Sequence, residues 1–221
     1  MRLVAVLLLT GLLALAPASE PGTDAARVLG ETLPAAAIWL DSLDLGEMSV
    51  GYGRPQGRKS TDENPLRLGG VTYPRGVGSH ANSEFAIDLK GVATRFVAMV
   101  GVDDEKRGAG SVKFVVVADG RTVAETPVMR GGQPPQLLSV DLTGAQRLVL
   151  IIDDADGSID SDHGDWAGAH FLLQEGATAR PEPLRVPVEP PLPIASGDPS
   201  EPAIHGPRVV GATPGRPFLH L

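Results

Sequence analysis

"VKFVVVADGRTVAET", residues 112–126, sets two β-rich runs on either side of Asp119-Gly120. Asp-Gly is favoured where both central residues of a two-residue turn take positive φ, because the twist of such a turn matches that of the strands it joins. The stretch is therefore read as a β-hairpin. Working outward, "FAIDL" (85–89), "RFVAMVGV" (95–102), "QLLSVDL" (136–142) and "RLVLIID" (147–153) are also β-branched or alternating and are followed by glycine-bearing turns. Beyond the first 18 residues, no segment keeps a helical apolar period with caps over three turns. The fold class expected is all-β, a β-sandwich. The unbroken apolar runs Val97 to Val100 and Leu148 to Ile152 are expected to be buried on both faces or central in a sheet.

The chain of 221 residues opens with "MRLVAVLLLTGLLALAPASE", in which Arg2 leads an uncharged apolar run that ends in small residues. This reads as a signal peptide over residues 1–18, with Ala16-x-Ala18 as the cleavage signal. The run is too short and too weakly flanked for a membrane span, so export to a secreted or periplasmic location is expected, with no membrane association after cleavage. There is no cysteine, so an apolar core has to hold the exported fold without disulfides. A formal charge of −8 disfavours a nucleic-acid partner, which requires clustered Lys and Arg. After an N-terminal linker (19–33), the folded module is expected over 34–173. "RPEPLRVPVEPPLPIASGDPSEP" then marks a Pro-rich linker over 174–203, read as extended and poorly packed. Residues 204–221 regain apolar side chains and look like the start of a further region.

The densest polar stretch is "DDADGSIDSDHGDWA" (153–167). Placing Gly157 at the glycine of a calcium loop aligns Asp154 and Asp156, but Ile152 falls on the first ligand position and His163 on the last, so the EF-hand reading fails. Calcium in another geometry suits a carboxylate-rich turn, and Asp156 and Asp162 are its candidate ligands. A catalytic reading needs two carboxylates facing one another across a sugar, and nothing in the spacing selects two. A binding rim fits better, since an aromatic platform beside imidazole and carboxylate groups is the chemistry of sugar recognition. His163, Asp165 and Trp166 supply it in one short piece, and Trp166→Ala is expected to abolish glycan binding while leaving the fold intact. The competing reading has Trp166 plugging the sandwich edge while the aspartates stay solvated.

Three further loops carry candidates. In "YPRGVGSHANSE" (73–84), glycines bracket His80 and Asn82, which could converge on a ligand, although a single histidine is more often structural. In "GVDDEKRGAGSVKF" (101–114), Asp103, Asp104 and Glu105 end a strand; they serve either as a loop cap with solvated ion pairs or, through Asp103 or Asp104, as hydroxyl or metal ligands. In "GYGRPQGRKS" (51–60), Tyr52 is either platform or packing, and Arg54 is a hydroxyl donor or an ordinary surface cation. No G-x-S-x-G elbow, zinc spacing, phosphate loop or dinucleotide fingerprint is present.

Taken together, "NPLRLGGVTYPRGVGSHANSEFAIDL", "VGVDDEKRGAGSVKFVVVADG", "VMRGGQPPQLLSVDLTGAQRLVLIIDDADG" and "DHGDWAGA" resemble, in order, successive blocks of the NPCBM family, also called carbohydrate-binding module family 51. The Gly-x-His-Ala signature falls on Gly78 to Ala81, the Val-Asp-Asp-Glu block on Val102 to Glu105, and the Asp-His-x-Asp-Trp block on Asp162 to Trp166. The chain departs from the family at Tyr52, where Gly-Trp-Gly is common, and at Ser79, where threonine is usual. The resemblance implies a galactose-binding-like β-sandwich jelly roll that recognises galactose-containing glycans, and it strengthens the expectation of a structural calcium without choosing its ligands. It also implies a linked or partner glycoside hydrolase, and "AIHGPRVVGATPGRPFLHL" is similar to a junction in multidomain bacterial α-galactosidases. The expected function is therefore that of an exported, noncatalytic carbohydrate-binding module. Its expected sugar-binding residues are Tyr52, Arg54, His80, Asn82, Asp104, Asp165 and Trp166. The alternatives are the N-terminal part of an α-galactosidase-type enzyme and a protein-binding adhesion module.

Overall fold

The alternation of apolar and polar side chains decides the layers. A computed structural model describes Leu33 and residues 37–184. The strands, in chain order, are β1 (Ile38–Trp39), β2 (Gln56–Gly57), β3 (Arg67–Leu68), β4 (Val71–Thr72), β5 (Gly76–His80), β6 (Ser83–Asp88) and β7 (Ala93–Val102). They continue with β8 (Ser111–Ala118), β9 (Arg121–Glu125), β10 (Met129–Arg130), β11 (Gln136–Asp141), β12 (Arg147–Asp153), β13 (His163–Leu173) and β14 (Glu182–Pro183). One sheet runs β11-β7-β13-β5-β2 with β1 on the far half of β13; the other runs β10-β8-β12-β6-β14 with β9 on β8; β3 and β4 form a separate ribbon. No helix among the described residues is long and apolar enough to cross a membrane.

The two large sheets enclose one apolar core. Phe96, Ala98, Val100 and Val102 from β7 meet Phe114 and Val116 from β8, Leu148, Leu150 and Ile152 from β12, and Trp166 from β13. A period of two puts every second residue on this inner face. The expected hairpin is present: Asp119 and Gly120 have φ of 47° and 77°, and Ala118 faces Arg121. The Asp119 carboxylate also accepts from the Arg147 amide at 2.8 Å, which ties the turn to the start of β12.

Differences from the expected elements have physical causes. The runs at 97–100 and 148–152 are central, flanked by β11 and β13 and by β8 and β6 respectively. Val149 and Ile151 are nevertheless only half-buried, so β12 packs closely on one face. β5 and β13 were not expected as strands, because their glycines, histidines and aspartates hide the apolar signal; both are buried almost throughout. The first part of the expected Pro-rich linker is also packed, since Glu182 and Pro183 pair with Asp88 and Ile87 of β6 and the Leu184 amide donates to Ala86 O at 2.8 Å. Pro183 is tolerated there because it sits on a sheet edge. The expected signal peptide, residues 185–203 of the linker and the segment 204–221 lie outside the described residues, as does all of the N-terminal linker except Leu33.

The outer face of the first sheet is covered by residues 58–73, whose Leu66, Leu68 and Tyr73 form a second small core with Val97 and Ala167. This segment lies directly on β5 because position 78 has no side chain: a Cβ there would stand 2.3 Å from Lys59 O and 2.6 Å from Ser60 Cα. Both obstacles are backbone, so Gly78→Ala should push the segment off the sheet and cost about 1–3 kcal/mol, the usual scale of overpacking. A urea unfolding midpoint equal to that of the parent would show that the segment yields freely.

Candidate functional site

On the outer face of the first sheet His80 and His163, register partners on β5 and β13, stand side by side. With Tyr52, Lys106, Ile159, Asp160 and Ser161 they line an open cleft of about 280 Å³. Three contacts assemble it. The Gly51 amide donates to His80 O at 3.3 Å, and a Cβ on Gly51 would lie 2.1 Å from Ala81 O; glycine thus lets the Tyr52 loop press against β5. The Ala81 amide donates to Asp162 O at 3.0 Å, which brings in the 159–161 loop. The Asp103 amide donates to His163 O at 2.8 Å, so the short 3-10 turn Asp104–Lys106 starts beside His163.

Tyr52 is 65% exposed and meets His80 edge-on with centroids 5.5 Å apart; His80 and His163 meet likewise at 5.0 Å. The Glu105 carboxylate accepts from Ser60 Oγ at 2.5 Å and Asn64 Nδ2 at 2.9 Å on one oxygen, and pairs with His163 Nδ1 at 2.5 Å on the other. Burial alone would raise the Glu105 pKa, but these hydrogen bonds outweigh it and hold the carboxyl below its ordinary range. Burial also pulls the His163 imidazole below its usual pKa despite the pairing with Glu105, so the pair is a neutral imidazole donating to a carboxylate. Lys106 Nζ donates to Asp62 Oδ2 at 2.7 Å, which fixes an ammonium group at the cleft wall. The cleft therefore offers one exposed aromatic face, two imidazole edges and one ammonium.

Of the residues singled out from sequence, Tyr52, His80 and His163 line the cleft. Arg54 is exposed and pairs with Glu63 at 3.4 Å. Asn82 is engaged by Asp154 on both its oxygen and its nitrogen, at 2.9 and 3.1 Å. Asp104 accepts from the Gly69 and Gly70 amides at 3.1 and 2.7 Å, and Asp103 from the Arg67 amide at 3.0 Å. These aspartates staple residues 58–73 to the sheet. Asp165 is fully buried beneath the same segment, and Trp166 is fully buried between Phe96 and Phe114, with centroids at 5.9 and 4.9 Å. Neither can touch a ligand from outside, and Trp166 belongs to the core. Lys106 and the 159–161 loop were missed, since a lysine in a charged turn and a serine in a polar loop carry no sequence signal of their own.

Two places bear on metal binding. One oxygen or nitrogen each from Asp62, Glu105 and His163 lie within 4.8 Å of one another, but Lys106 already neutralises Asp62 and the His163 hydrogen already occupies Glu105. The second place is a recess lined by Ser111, Arg130, Asp156, Ser158, Asp160 and Asp162. There Asp162 Oδ1 accepts from the Ser111 amide at 2.7 Å, while the buried Oδ2 has no partner and burial raises the carboxyl pKa. Asp156 Oδ2 accepts from Ser111 Oγ at 2.8 Å.

A family model for the NPCBM/NEW2 domain matches residues 36–172. The chain belongs to this family. The NPCBM/NEW2 module is 34% identical to a family 51 carbohydrate-binding module of a Clostridium perfringens GH95 protein solved in complex with methyl-galactose, covering 61% of this chain and 99% of that one with a TM-score of 0.58. It is 33% identical to CBM51-2 of ZmpB from the same organism, solved with GlcNAc and with INT domains, over 63% of this chain and 32% of that one, with a TM-score of 0.59. Among curated proteins, it is 34% identical over 134 residues to the Renibacterium salmoninarum protein named "Putative endo-alpha-N-acetylgalactosaminidase", covering 58% of this chain. It is 28% identical over 153 residues to alpha-1,3-galactosidase B of Akkermansia muciniphila, covering 67% of this chain. The matched region spans 9% and 18% of those two proteins, so the module corresponds to a small part of each.

Proposed function

We propose that this NPCBM/NEW2 module binds galactose-containing glycans in the cleft between Tyr52, His80, His163 and Lys106, and serves as the noncatalytic, exported targeting part of a glycoside hydrolase. The observation that carries the reading is the exposed Tyr52 ring set edge-on to the buried His80 imidazole, which in turn meets that of His163. A sugar presents one apolar face and a rim of hydroxyls, which an aromatic ring and an array of nitrogen acceptors and donors complement. The methyl-galactose complex of the Clostridium perfringens relative supports galactose as the first ligand to try. Glu105 and Asp62 are spent on Ser60, Asn64, His163 and Lys106, which argues for binding and against acid–base catalysis in this cleft. Affinity should be modest, because protein–hydroxyl hydrogen bonds largely replace hydroxyl–water ones.

The test is calorimetric titration with methyl galactoside. Tyr52→Ala should weaken binding about tenfold or more, the scale of a lost aromatic contact, while leaving the melting temperature in place because the ring is exposed. Equal affinity in the variant would remove the cleft from consideration. A structural calcium ion is part of the same proposal. Asp162, through its unpartnered Oδ2, and Asp156 would hold it, with the Arg130 guanidinium in the same recess working against a tight site. Repeating the titration and the melt after chelation reads its contribution directly.

A further inference from the structure

Both cleft histidines use Nδ1 inside the protein. His80 Nδ1 lies 2.7 Å from Ala81 O and His163 Nδ1 lies 2.5 Å from Glu105 Oε1. A carbonyl and a carboxylate only accept, so each Nδ1 carries the hydrogen, and in a neutral imidazole the remaining Nε2 is then an acceptor. The two residues are 4% and 3% exposed and line the cleft, and among the described residues the hydrogen bonds of both rings are made through Nδ1. Two acceptors thus stand next to each other at the cleft.

We infer that Glu105 is a positioning residue that locks His163 in the Nδ1–H form, and that the cleft selects ligands with two neighbouring hydroxyl groups free to donate, one to each Nε2. The selection rests on the reading of the cleft as a sugar site; the tautomer does not. At His163 burial outweighs the pairing with Glu105, and Lys106 opposes a second positive charge. Tyr52 presents its ring to His80, and the Asp62 and Asp162 carboxylates lie within electrostatic reach of it. A ligand that replaces one hydroxyl with a group unable to donate leaves a nearly buried acceptor unpaired, which costs far more than the net gain of making the bond.

Glu105→Gln separates positioning from packing. Oε2 of Glu105 accepts from both Ser60 Oγ and Asn64 Nδ2, so the carbonyl oxygen of a glutamine must take that place. The amide nitrogen then faces His163 Nδ1 and donates to it, which drives the imidazole hydrogen to Nε2 and turns an acceptor into a donor.

The experiment is two-bond proton–nitrogen NMR of the histidine rings in the module near neutral pH, combined with titration of a panel of monodeoxyfluoro methyl galactosides. The parent should show Nδ1–H at both rings, and fluorination at each of two adjacent positions should weaken binding about tenfold, because C–F cannot donate. Glu105→Gln should move only His163 to the Nε2–H form and abolish the penalty at one of the two positions. Nε2–H at His163 in the parent, or an unchanged tautomer in a folded variant, overturns the role of Glu105. Fluorination penalties that never fall on neighbouring positions overturn the selection. Should no galactoside bind while the NMR result holds, the sugar reading fails and the selection with it, and the tautomer shift still supports Glu105 as the positioning residue. The parent spectra and the sugar panel need no variant, so a poorly folding Glu105→Gln leaves the selection testable.

Discussion

Trp166→Ala should lower stability by about 3–5 kcal/mol, the scale of deleting a fully buried tryptophan whose cavity closes only partly. Domains of this size are stable by roughly 5–15 kcal/mol, so the variant stands near or beyond the limit of folding. The ring sits on the inner face of β13, edge-on to Phe96 on β7 and Phe114 on β8, and so bridges the two sheets. Its Nε1 has no hydrogen-bond partner among the described residues, so Trp166→Phe should keep most of the stability while removing a buried orphan donor. Urea unfolding followed by far-ultraviolet circular dichroism measures both variants. An unchanged midpoint for Trp166→Ala, with loss of glycan binding alone, would return Trp166 to the rim where its sequence context had suggested it.

Asp165→Asn should make the module more stable than the parent, by a margin that widens as pH rises. The Asp165 carboxyl is fully buried, and burial, followed by the charge of Asp103 and a hydrogen bond to it, pushes the carboxyl pKa well above its ordinary value. A folded-state pKa above the unfolded one means that the native protein binds the extra proton. The contribution is therefore fully favourable below about pH 4 and is lost as pH rises toward the folded pKa. The slope for one such proton is on the order of 1 kcal/mol per pH unit. Asparagine keeps the shape and removes the titration, so the difference between variant and parent isolates this one group from the others. Thermal unfolding of both proteins from pH 4 to 9 measures it; parallel curves would show that Asp165 is charged and paired in the fold.

The strands with regular patterns were legible because each strand with one face on a core writes its burial as a period of two. Val112, Phe114, Val116 and Ala118 of β8 are buried, with Lys113, Val115 and Val117 between them half-exposed, and the turn at Asp119-Gly120 completes the signal. β13 defeated the same reading because it is buried on both faces by different partners. Its Trp166 side faces the sandwich core, and its Asp165 side faces residues 58–73. A buried aspartate between a histidine and a tryptophan looks like a polar loop until the covering segment is seen. The site was legible in part for a related reason. Tyr52 and His80 stood out as an aromatic and an imidazole on glycine-rich stretches, whereas Asn82 and Asp104 looked equally suitable and turned out to fasten one loop to another.

Sequence alone determined the all-β class, the central hairpin, the five strands of clear apolar pattern and the family, since these rest on local periodicity, turn chemistry and blocks of residues in a given order. Only the tertiary structure decided which polar residues are spent inside the fold and which line an open cleft. Carboxylates and amides satisfy backbone donors across 30 or more residues of chain here, as when Asp103 and Asp104 hold Arg67, Gly69 and Gly70, and such long-range pairing leaves no trace in local spacing. His80 and His163 meet at one cleft because β5 pairs with β13 there, a fact of packing that no stretch of sequence records.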